Sequence, residues 1–332
     1  MAGPGSLMSA FTIEDLVVSY RRHAAIYYRS PDGRPTGEVH AIRDAMPQLV
    51  ALFGRTPAAA FGPKALRAVR DAMIDAGLSR GLVNRRIGIV KRMFRWAVAD
   101  ERMPPDVLAA LVALPGLRPG RSRAREAPPV LPVPESDVRA VLPHVPPAVQ
   151  AMIELQLLTG MRPGEVVILR PRDIERTSDA AWVYSPARHK TRHLGRARKI
   201  PLGPRAQAIL RPFLDGRAPE AFAFSPRESS EWRLARVRSR GKPPAPRRTD
   251  ARAPRERYDV DSYRRAIARG ARRAQVPHWH PNRLRHTAAT RLRREFGLEA
   301  AAAILGHGLL ETTQIYAEAD EALARRIMGE IG

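Results

Sequence analysis

Residues 115–134 are rich in Pro, Gly and Arg, and such a stretch favours extended chain over packed helix or strand. It cuts the sequence into two parts that must each build a core. At 332 residues with 44% apolar content, the chain is long enough for two compact domains. The domains read as residues 11–114, a basic linker over 115–134, and residues 135–332 with a basic insertion at about 226–257. Residues 1–10 are Gly-rich and read as a leader or scar outside the fold.

The first part reads as helices throughout. Thr12 can cap a helix to about Tyr28 with Leu16, Tyr20 and Ala24 on one face. A second runs from about Thr36 to Phe53, and a third starts at Pro63. In a fourth, about Leu82 to Ala99, Val83, Ile87, Val90, Phe94 and Ala97 form an apolar stripe. Arg85, Arg86, Lys91, Arg92 and Arg95 lie largely off that stripe, with no acidic neighbour in sequence until Asp100. Such a run can be a solvated face, but its imbalance points to DNA contact. The whole chain repeats the imbalance: 57 Lys and Arg against 33 Asp and Glu, a net charge of +24. A polyphosphate partner is the first expectation.

The second part opens with a helix from about Pro147 to Thr159, ended by Gly160, and another starts at Pro163. Short β-like runs follow, Ala181 to Tyr184 and Ala197 to Leu202, with a basic turn between them: a small antiparallel sheet. Helices return at Pro204. Between Arg227 and Arg257 stand 11 basic and 4 acidic residues among several prolines, which reads as a disordered or partly ordered insertion. The fold class is therefore mainly α with a small antiparallel sheet.

No cysteine is present, which excludes disulfides, thiolate zinc sites and cysteine nucleophiles and fits a reducing cytoplasm. No apolar run approaches the length of a membrane span. A metal-dependent nuclease would need clustered carboxylates; the nearest pair, Asp259 and Asp261, reads better as a helix cap. His278, His280 and His286 lack the spacing of a zinc set, and there is no phosphate-binding Gly-Lys-Ser loop. No metal and no cofactor is expected.

Four separated pieces carry chemistry together. They are Thr159-Gly160-Met161-Arg162-Pro163-Gly164-Glu165; Lys190 in His189-Lys190-Thr191-Arg192, ahead of Arg198-Lys199-Ile200-Pro201-Leu202; Pro281-Asn282-Arg283-Leu284-Arg285-His286-Thr287; and Leu305-Gly306-His307, with Tyr316 nine positions after the histidine. Singly, each has a bland reading: a cation at a helix end, an exposed lysine, a helix-ending histidine, a boundary tyrosine. Jointly, and in this order, they resemble the tyrosine recombinase (phage integrase) family over about Val130 to the C-terminus. The helical first part looks like that family's SAM-like core-binding domain, and the second like its mixed α+β catalytic domain.

The resemblance implies a site-specific DNA recombinase that cleaves through a 3′-phosphotyrosyl intermediate, without metal or ATP, on double-stranded DNA as a homotetramer. Tyr316 would be the nucleophile and Lys190 the general acid. His307 would hydrogen-bond the scissile phosphate, and Glu165 and His286 would support the site. The chemistry suits the residues. Two guanidiniums, Arg162 and Arg285, can grip nonbridging oxygens bidentately and stay charged at any working pH. A phosphotyrosyl ester conserves the energy of the broken bond. Lys199 is a rival to Lys190, its strand position making it less reachable. One departure stands out: the family usually has histidine three residues before the second arginine, and here that residue is Asn282. Asparagine donates to a phosphate oxygen but does not take up a proton, so a non-catalytic architectural DNA binder of the same fold is the alternative.

Overall fold

The computed structural model describes residues 11–30, 33–176, 182–188, 198–239, 241 and 253–306. The chain divides into two compact units, residues 1–129 and 130–332.

The first unit is helical. Helix α1 (Ile13–Tyr27) starts at a capping box: the Thr12 hydroxyl accepts from the Asp15 N–H, and the Asp15 carboxylate accepts from the Thr12 N–H. Ile13, Leu16, Val17, Tyr20 and Ala24 form its buried face. The single helix expected over Thr36 to Phe53 is two, α2 (Gly37–Ala45) and α3 (Pro47–Phe53). Pro47 has no N–H to bond backwards and its ring crowds the preceding turn, so it can start a helix but not continue one. Helix α4 (Pro63–Asp75) leads to α5 (Arg80–Ala99) and α6 (Pro105–Val112). All five apolar stripe positions of α5 are buried.

The Pro/Gly/Arg-rich stretch has no helix or strand between residues 113 and 134, but its first half is not loose chain. Asn84 of α5 exchanges two hydrogen bonds with the Leu117 backbone (2.8 and 3.0 Å), and the Arg80 N–H donates to the Arg125 carbonyl (2.9 Å). Leu114 and Ala124 are buried in this unit's core.

The second unit builds around α8 (Pro147–Thr159), whose Ala148, Val149, Ala151, Met152, Ile153 and Leu155 are all buried. Packed on or near it are α7 (Glu135–Val141), α10 (Pro204–Leu214), α12 (Val260–Ala274) and α13 (Asn282–Leu305). A short α9 (Pro163–Val166) follows α8. Within α13, Gly297 leaves helical geometry at φ 84°, a conformation that needs glycine. The sheet has three antiparallel strands in the order β1 (Ile174–Glu175), β2 (Trp182–Tyr184), β3 (Ile200–Leu202), so a strand joins the two runs expected. Pro201 cannot donate to a ladder, which suits β3's place at the edge. The basic stretch expected to be disordered or partly ordered begins with a regular helix, α11 (Pro226–Arg238), capped by the Ser225 hydroxyl. Residues 242–252 lie outside the described residues.

Candidate active site

The turn after α8 is held from several sides. Gly160 ends the helix at φ 63°, left-handed backbone where a side chain is strained. A Cβ there would come within 2.5 Å of Leu305 Cδ2. Gln156, fully buried, donates to the Met161 carbonyl (2.9 Å) and accepts from the Tyr263 hydroxyl (2.9 Å). The Thr159 hydroxyl accepts from the Met161 N–H (3.3 Å). Gly160→Ala is expected to cost about 1–2 kcal/mol for the left-handed backbone alone, with displacement of Leu305 added. An unfolding midpoint in urea equal to wild type's would contradict this packing.

Arg162 leaves this turn as the cap of α9. Its N–H and its Nη1 both donate to the Glu165 carboxylate, at 2.7 Å to Oε2 and 2.9 Å to Oε1. Glu165 is 1% exposed, while the Arg162 side chain keeps 23%. The Tyr184 hydroxyl of β2 donates to the Glu165 carbonyl at 2.7 Å, tying sheet to turn. Glu165 thus orients a guanidinium that is partly exposed.

Arg285 projects from the first turn of α13 and is 4% exposed. Its Nη1 donates to the Gly160 carbonyl (2.6 Å) and its Nη2 to the Leu305 carbonyl (2.9 Å). One side chain therefore joins the turn that presents Arg162 to the helix end that precedes His307. The start of α13 is anchored too, by Arg283 on the Leu131 and Pro132 carbonyls (2.8 and 3.0 Å).

Asn282 is the first residue of α13, and His286 lies one turn on. Asn282 Nδ2 and His286 Nε2 are 3.4 Å apart, and the Asn282 N–H donates to His280 Nδ1 (3.3 Å). Burial, Arg285 and Arg283 push the His286 imidazole below its ordinary value, favouring its neutral form. Burial, Arg264 and His278 do the same to His280, against a smaller pull from Asp261. Two imidazoles whose neutral forms are favoured thus flank Asn282.

A residue missed in the sequence is Arg198. Ile200 and Leu202 face the core, so period-two alternation turns Arg198 inward and leaves Lys199 exposed. Lys199 is therefore exposed just before β3, not made less reachable by a strand position as expected. The Arg198 side chain, 5% exposed, lies beside Glu165, with Nε 3.9 Å from Oε1, and its Nη1 donates to the Ile304 carbonyl at 3.1 Å. Burial pushes its guanidinium down from the ordinary value, Glu165 opposes this and Arg162 adds to it. Extending the strand pattern two residues backwards would have found it.

Lys190, His307 and Tyr316 lie outside the described residues. The five α5 cations belong to the other unit, and two of them serve its packing. Arg92 binds Glu38 (2.5 Å) and the Tyr20 hydroxyl (3.2 Å), and Lys91 donates to the Leu114 carbonyl (2.5 Å). Arg85 is exposed, 3.8 Å from Glu38; Arg95 is exposed and Arg86 half-buried. Among the described residues no group of three or more His, Asp or Glu side chains could hold a metal ion, and no helix is long and apolar enough to cross a membrane.

Comparison with known proteins finds the phage integrase family over residues 139–322. A tyrosine recombinase XerC of Mycobacterium sp. (strain KMS) is 30% identical over 303 residues, covering 87% of this chain and 91% of that protein. The Yersinia pestis XerC is 27% identical over 251 residues, 74% of this chain and 71% of its own. Among solved structures, the Tn1549 transposon integrase in complex with circular intermediate DNA superposes with a TM-score of 0.63 at 18% identity, covering 96% and 99% of the two chains. A lambda integrase tetramer bound to a Holliday junction gives 0.58 at 14%, covering 94% and 80%.

Proposed function

The chain belongs to the phage integrase family, and from that premise we propose that it cuts and rejoins DNA at a specific site through a 3′-phosphotyrosyl bond to Tyr316. The observation that carries the reading is the clasp of Arg285 on the Gly160 and Leu305 carbonyls. It brings the Arg162 turn and the residues leading to His307 onto one guanidinium. In the proposed reaction the Tyr316 oxygen attacks phosphorus, the bond to the 5′ oxygen breaks, and Lys190 protonates the leaving oxygen. Arg162 and Arg285 offset charge growing on the nonbridging oxygens, and His307 and Asn282 donate hydrogen bonds to them. Rejoining is the same path reversed, so neither ATP nor metal is required. The partner is double-stranded DNA. Four protomers would act on two paired sites, as the lambda integrase tetramer on its junction suggests by fold.

The test is covalent trapping. On a nicked duplex carrying the site that the full chain selects from a randomised library, an adduct should form in EDTA. Mass spectrometry should place it on the peptide holding Tyr316. Tight binding with no adduct would establish the architectural alternative, and an adduct that needs added magnesium would overturn the metal-free route.

Asn282 tests the departure from the family pattern. Asn282→Ala should slow adduct formation by roughly ten- to a thousandfold, the cost of one transition-state hydrogen bond. Asn282→His should stay active and gain a pH dependence near neutrality, because histidine titrates there and asparagine does not. An alanine variant as fast as wild type would reduce Asn282 to a helix-start residue.

A further inference from the structure

Arg198 stands beside the site without a use in the reaction just described. It is almost wholly buried, yet Nε and Nη2 have no hydrogen-bond partner among the described residues. Burying unmatched guanidinium donors is costly, and an apolar side chain would fill the same space without that cost. The far end of the guanidinium is anchored, while Nε lies on the Glu165 side. Nη1 is bonded to the Ile304 carbonyl, and a Cβ on Gly306 would come within 2.3 Å of that same nitrogen.

Its position relative to Glu165 supplies a reason. Arg162 Nη1 and Arg198 Nε address one carboxylate oxygen, Oε1, the first at 2.9 Å and the second at 3.9 Å. The other oxygen is held independently by the Arg162 N–H. If a DNA phosphate draws the Arg162 guanidinium to itself, Glu165 keeps its place but loses its close cation. At 1% exposure, water has little access to replace it.

We propose that Arg198 is a positioning residue in reserve: when the scissile phosphate draws Arg162 off Glu165, Arg198 closes onto the vacated oxygen and keeps the buried carboxylate paired. Substrate binding then exchanges one buried ion pair for another rather than breaking one. The inference rests on the strand-transfer reading, because it needs Arg162 to engage phosphate.

The experiment uses the full chain and the selected nicked duplex. Arg198→Met should lower the single-turnover adduct rate about a hundredfold with the dissociation constant changed less than about threefold. Adding Glu165→Gln removes the charge that needs a partner and should restore at least about tenfold of that rate, measured well below both melting temperatures. A purely structural Arg198 would show its rescue in melting temperature and not in rate. Arg198→Met cleaving like wild type, or a double variant as slow as the single one, overturns the exchange. Should Arg198→Met fail to fold, nitrogen-15 spectra of the wild-type chain decide. The Arg198 Nε–H signal, assigned with Arg198→Lys, should move on adding duplex and stay still in Glu165→Gln; an unmoved wild-type signal refutes the proposal. Absence of any adduct with the wild-type chain would instead sink the strand-transfer reading itself.

Discussion

Arg285→Ala is expected to slow adduct formation by at least about a thousandfold, the upper range for losing one preorganised transition-state donor. The loss should reach that range because Arg285 has two tasks. As a guanidinium it would meet charge developing on the phosphate. As a buried clasp it donates to the Gly160 and Leu305 carbonyls, and each stranded buried acceptor costs about 1–3 kcal/mol. Stability should therefore fall together with rate. The two effects separate in Arg285→Lys, which keeps the charge but, with one nitrogen, cannot hold the two carbonyls as a planar fork does. That variant should be slow even at temperatures where it is fully folded. Cleavage within tenfold of wild type in folded Arg285→Lys would mean that charge alone suffices and the two-carbonyl geometry is incidental.

How far the site could be read beforehand follows from the range of the forces involved. The Thr12 cap, the Gly160 stop and the Pro163 start are set by neighbours a few residues apart, and the structure has each of them. The division at Pro47 was equally local, and the proline rule suffices to find it. What was not legible depends on distant partners. The cations of α5 have no acidic neighbour in their own segment, yet Glu38 of α2 reaches Arg92 and stands near Arg85. Strand β1 is two residues long, too short for any periodicity, and exists because Ile174 and Glu175 pair with Tyr184 and Val183. Arg198 is the instructive case. Its inward direction follows from alternation with Ile200 and Leu202, but its meaning appears only with Glu165 and the end of α13 beside it. The motif residues themselves were legible as types, and Arg162, Glu165 and Arg285 are tied to one turn. Lys190, His307 and Tyr316 lie outside the described residues, and it is their chemistry that bears on their roles.

For Lys190 that chemistry makes a separable prediction. A 5′ alkoxide is a poor leaving group at neutral pH, so the cut needs a proton donor, and a lysine in the basic segment ahead of β3 in sequence can supply it. Removing a general acid costs typically a hundred- to ten-thousandfold in rate, and Lys190→Ala should fall in about that range on ordinary DNA. Sulfur in place of the 5′ bridging oxygen changes the requirement, because a thiolate leaves without being protonated. On that substrate Lys190→Ala should recover most of the lost rate, while Arg285→Ala, whose defect lies with the nonbridging oxygens and the turn, should recover little. Lys199→Ala is the control for the rival lysine, which is exposed immediately before β3. Recovery in Lys199→Ala and none in Lys190→Ala would transfer the acid to Lys199. Equal impairment of Lys190→Ala on both substrates would show that Lys190 only binds DNA, and the proton would then have to come from a group other than these two lysines.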